Sequence, residues 1–93
     1  MTTVQFSEKK LKKIARINEV VRDYFISHPT TDRIAAKMLM PIFIRKGIFV
    51  KDTDNGLPIR AIVRELYKHQ QLHLLPATIV VLDKRSYYFD RKE

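Results

Sequence analysis

Arg60, Arg64 and Lys68 recur at four-residue intervals and Gln71 follows three positions later, so a helix over 58–71 gathers these side chains on one flank beside Tyr67. Guanidinium and ammonium groups in that spacing suit phosphates. The arginine fork also suits guanine and the Gln71 amide suits adenine. The remaining stripe, Ile59, Ile62, Val63 and Leu66, is apolar and requires a core beneath it. A second pair of cations, Lys84 and Arg85, falls in a turn at 83–86 between two β-branched and aromatic runs, which predict a hairpin over 78–90. The chemistry on offer is anion recognition, with Tyr67 between the two faces and assigned to core packing.

Eighteen Lys and Arg against ten Asp and Glu give a formal charge of +8, so the field of the whole chain draws anions. The expected partner is nucleic acid, DNA ahead of RNA. The alternative is an acidic protein met by the same Arg and Tyr side chains, which are frequent interface hot spots. Lys9, Lys12, Lys13 and Arg16 lie on the far side of the first helix as auxiliary phosphate contacts or as a solvated face. Glu19 and Asp23 continue that face, and Glu8 stands four residues before Lys12 in the favourable order for helix support. An anionic membrane is a poorer match, because the apolar face of that helix is needed for the core.

Other chemistries lack their parts. Asp52, Asp54 and Gly56 resemble a piece of a calcium loop, but counted from Asp52 the glycine is fifth and Val63 stands where the bidentate glutamate belongs. His69 and His73 have zinc-clamp spacing without the intervening glutamate, and the absence of Cys removes thiolate sites and Cys nucleophiles. Ser27 and His28 are sequence neighbours that diverge on a helix. Glu65 and Lys68 are spaced one residue too widely for the common nuclease pattern with Asp52 or Asp54. A small metal-free ribonuclease of the toxin type, using Lys, Arg, Tyr and His, is the enzymatic alternative. The expectation is a binding module with no metal, no cofactor and no catalytic residue.

The elements that must position these groups follow from capping and periodicity. The 93 residues predict one compact domain over 7–91 after a flexible start at 1–6. Ser7 caps a helix running to about Ser27, with Phe6 and Leu11 placed as a staple and Leu11, Ile14, Ile17, Val21, Tyr24 and Phe25 on its buried side. His28 before Pro29 ends it. A second helix is expected over 32–40, with a kink or a fresh start at Pro41, and Gly47 as its left-handed terminator. In that reading Ile48 touches Phe43, and Arg45 and Lys46 complement the helix end. A short strand over 48–51 and a turn over 52–56 lead to the basic helix, while Leu74 and Leu75 cover the core. Lack of Cys fits a reducing compartment, taken as cytoplasm, and the apolar stretch 38–44 is far below the roughly 20 residues a bilayer needs.

This α+β order, three to four helices with a C-terminal β-hairpin, resembles the winged-helix DNA-binding domains over most of 7–91. The likeness rests on element order and charge. It implies base or phosphate contacts from Arg60, Arg64, Lys68 and Gln71, with Lys84 and Arg85 on a neighbouring phosphate or in a minor groove. The strand expected over 48–51 departs from that pattern, since a winged helix has its first strand before the helix-turn-helix pair, and the nine residues from Ile48 to Gly56 make a longer connection than the tight turn of such a pair.

Overall fold

The computed structural model describes residues 6–54 and 56–92; the N-terminal stretch expected to be flexible lies almost wholly outside them. Helix α1 spans Glu8–Ser27, and the Ser7 hydroxyl accepts from the Lys10 amide at 3.2 Å as the sequence predicts. Ile14, Ile17, Val20, Val21 and Phe25 are buried. Leu11, at the edge of that arc, remains 41% exposed, whereas Phe6 is partly buried against the core. The helix carries no cation in its last turn. Arg91 supplies one from the far end of the chain, donating to the carbonyls of Phe25 at 3.1 Å, His28 at 2.6 Å and Thr31 at 2.7 Å.

Residues 32–40 depart from the expected helix. Arg33–Ala35 is a strand, β1, followed by a 3-10 turn over Ala36–Leu39. Helical propensity yields here to long-range pairing. The strand runs antiparallel to β3 with Ile34 opposite the buried Phe89, and the Arg33 fork takes both carboxylate oxygens of Asp90 at 2.6 and 2.9 Å. That hydrogen bond raises the Arg33 pKa above its ordinary value, which leaves its charge unaltered at any working pH. Helix α2, Met40–Arg45, is the fresh start at Pro41 that the sequence offered as one of two outcomes. Gly47 ends it at φ 76°, and the amides of Gly47 and Ile48 donate to Ile44 and Phe43, each at 2.9 Å.

That closure explains why no strand forms over 48–51. The Ile48 amide is already committed to the helix end, and Ile48 itself is buried in the core. The chain then turns through Asp52, whose carboxylate accepts from the Gly56 amide at 2.7 Å. Gly56, at φ 91°, opens α3, Leu57–Lys68. An added Cβ there would lie 2.5 Å from Lys37 Cβ and 2.9 Å from Lys37 Cα, so glycine is required for the close approach of α3 to the 3-10 turn. Ile59, Val63 and Leu66 are buried as read from the periodicity. The helix stops three residues earlier than expected: Gln70 takes φ 56°, and the Gln71 amide donates back to Leu66 at 2.7 Å.

A 3-10 turn over Leu72–Leu74 and the buried Leu75 lead to the hairpin β2, Thr78–Asp83, and β3, Ser86–Arg91. The sheet is antiparallel in the order β1-β3-β2. Asn18 of α1 fixes the hairpin base by accepting from the Ala77 amide at 2.8 Å. Lys84 and Arg85 form a two-residue loop with φ 49° and 68°, the positive values that a type I′ turn needs. The described residues form a small α+β domain of three α-helices and one three-stranded sheet. No helix of the described residues is long and apolar enough to cross a membrane.

Candidate nucleic-acid interface

Period-two alternation from the buried Phe89 turns Tyr87 toward the helical side of the sheet, and Leu82 is its register partner on β2. These two side chains face the outer flank of α3 across a groove of about 730 Å³. Arg60, Arg64 and Lys68 enter it from the helix and Arg85 from the hairpin tip. Four of the six side chains expected to bind nucleic acid therefore meet in one concavity. Lys84 is exposed on the adjacent tip without lining the groove. Gln71 is not on the flank at all, because the left-handed Gln70 redirects the chain before it.

The four cations are not equivalent. The Arg60 guanidinium donates to the Asp54 carbonyl, and its Nε is buried with no hydrogen-bond partner among the described residues. It is therefore partly spent on holding the turn that opens α3. Arg64, Lys68 and Arg85 are exposed. Glu65 also lines the groove, and Lys10 of α1 pairs with it, so the local carboxylate charge is balanced. Tyr67 is 48% exposed rather than packed away, and its ring forms a T-shaped pair with Tyr87 at 6.4 Å.

The auxiliary cations have other engagements. Arg16 donates to the Lys46 carbonyl at the end of α2, Lys13 lies 5.3 Å from the Phe49 ring centroid, and Lys12 is 3.9 Å from Glu8. Lys9 is exposed, and none of the four lines the groove. The end of α2 is thus served by Arg16 across the fold as well as by its own Arg45. Arg45 and Lys46 border a separate cleft of about 220 Å³ between α1 and α2, together with Tyr24, Ser27 and His28. His28 stacks on Tyr24 and bonds through Nδ1 to the Tyr24 carbonyl at 2.8 Å, which occupies the ring structurally.

Sequence reasoning missed Leu57, Glu65, His69, Leu82 and Tyr87 as walls of the groove. The alternation of β3 carried the signal for Tyr87; the approach of the hairpin to α3 has no local signature. Among the described residues no three His, Cys, Asp or Glu side chains come together as a metal site. No family model, curated protein or solved structure matches this chain.

Proposed function

We propose that this chain is a small nucleic-acid-binding module of winged-helix type, acting on DNA through α3 and the tip of the β2–β3 hairpin. The observation that carries the reading is the convergence of Arg60, Arg64 and Lys68 with Arg85 on one groove between two separate elements. The order of elements supports it too. A strand precedes α2 and α3 and a two-stranded hairpin follows them, which removes the departure expected from a strand over 48–51, while the connection from Arg45 to Leu57 stays longer than the tight turn of a helix-turn-helix pair. In this reading α3 supplies the helix that meets base edges, and Arg64, exposed near its middle, is the residue that reads them. Lys84 and Arg85 hold a neighbouring phosphate.

The turn at the tip lends further support. Type I′ turns favour Asn and Gly, and left-handed backbone costs other residues roughly 1–2 kcal/mol each. Two long cations at φ 49° and 68° make a strained choice that stability does not explain. Presentation of charge does.

A fluorescence titration with random duplex DNA and with single-stranded RNA, each over a range of salt, tests the proposal. The exposed cations of the groove and tip, with a partial share from Arg60, give an expected slope of log K against log salt of about −4 on duplex DNA. Arg64→Ala is expected to weaken binding and relax any sequence preference. Absence of binding to every nucleic acid at low salt would reject the reading and put an acidic protein partner first.

A further inference from the structure

A duplex backbone turns sugars and phosphates outward, and a ledge of cations is enough to hold it. The groove beside α3 offers more than a ledge. Its hairpin wall is Leu82 and Tyr87, its helix wall opens with Leu57, and Glu65 stands among the cations. Leu57 and Leu82 are both 43% exposed, and Tyr87 is half-buried with Tyr67 beside it in a T-shaped pair. Aliphatic and aromatic walls of this kind suit the face of a base. A carboxylate repels phosphate but accepts hydrogen bonds from exocyclic amino groups, and the Lys10 partner lowers the cost of holding Glu65 beside an anionic ligand. The groove volume, about 730 Å³, lies within the range of sites that enclose whole small molecules.

We infer that the groove takes an unpaired nucleotide. Its base lies against Tyr87 and Leu82 with the amino edge toward Glu65, and the flanking phosphates rest on Lys68 and Arg85. This inference rests on the nucleic-acid reading and adds to duplex binding a preference for single strands, frayed ends and forks.

The test uses fluorescence anisotropy with three kinds of labelled probe of equal phosphate number: a blunt duplex, a duplex with a short overhang, and a single strand. The overhang is made once in DNA and once in RNA. The overhang probe is expected to bind roughly 5- to 100-fold more tightly than the blunt duplex, the margin that one stacked base confers. Tyr87→Leu should remove the margin and leave blunt-duplex binding in place, whereas Tyr87→Phe should keep it. If Tyr87→Leu does not fold, Leu82→Ser on the same wall replaces it, with the same loss expected. A margin in either sugar series supports the inference and says which nucleic acid is held. Equal affinity for blunt and overhang probes, or a margin that survives the wall substitutions, overturns it while the duplex reading stands. Binding to none of the probes at low salt removes both.

Discussion

Both glycines of this chain sit in the left-handed region, at φ 76° for Gly47 and 91° for Gly56, yet alanine should affect them very differently. A Cβ at Gly47 meets nothing within 4 Å. Gly47→Ala therefore costs only the left-handed strain, about 1–2 kcal/mol, less the ~0.4–1 kcal/mol gained by stiffening the unfolded chain. Gly56→Ala carries the same two contributions and adds a collision, because its Cβ would come within 2.5 Å of Lys37 Cβ and 2.9 Å of Lys37 Cα. Overpacking against backbone adds about 1–3 kcal/mol. Subtracting one variant from the other cancels the strain and unfolded-state contributions and isolates the contact between the start of α3 and the 3-10 turn. Thermal unfolding followed by circular dichroism measures both. The Gly56 variant should melt roughly 10 °C below the Gly47 variant, using ~4–8 °C per kcal/mol for a domain of this size. Equal destabilisation would refute the close packing that sets the position of α3, and with it the geometry of the groove.

The tip offers an opposite trade. Lys84→Asn with Arg85→Gly should stabilise the fold by about 1–2 kcal/mol through relief of the turn, while flattening the salt dependence of DNA binding by about 2; a less stable double variant would rule out the I′ geometry. Arg91→Ala should destabilise by about 2–3 kcal/mol in urea, since it strips the Phe25, His28 and Thr31 carbonyls, at and just beyond the end of α1, of their charged donor, and Arg91→Lys should recover part of that. The Arg91 side chain is only 23% exposed, so water replaces it poorly. EDTA, calcium and zinc should each leave the melting temperature in place, as neither the Asp52 turn nor the His69 and His73 pair assembles a ligand set among the described residues; a shift of several degrees would contradict this.

Local signals survived folding where they were strong. Ser7, Pro41, Gly47 and Gly56 each act at the position their chemistry favours, and the stripe of Ile59, Val63 and Leu66 is buried. Signals failed where a distant partner decided. Nothing near Arg33 in sequence announces Asp90, which lies 57 residues away and converts a helical pattern into a strand. The left-handed Gln70 hid the end of α3 because glutamine is an uncommon terminator, and Gln71 was misplaced as a result. The cations of the groove were legible from helical spacing and turn composition. Its walls were not, because they exist only when the hairpin stands against α3.

The most direct test is the salt-dependent affinity for one duplex DNA of three proteins: the unaltered chain, Lys84→Ala/Arg85→Ala, and Arg45→Ala/Lys46→Ala. Both double variants remove two positive charges, but the first empties the hairpin tip and the second the separate cleft between α1 and α2. If the groove and tip are the interface, the hairpin variant loses affinity and its salt slope flattens by about 1–2, while the cleft variant keeps both close to those of the unaltered chain. Equal losses from the two variants would mean that the attraction is diffuse and that the groove recognises nothing.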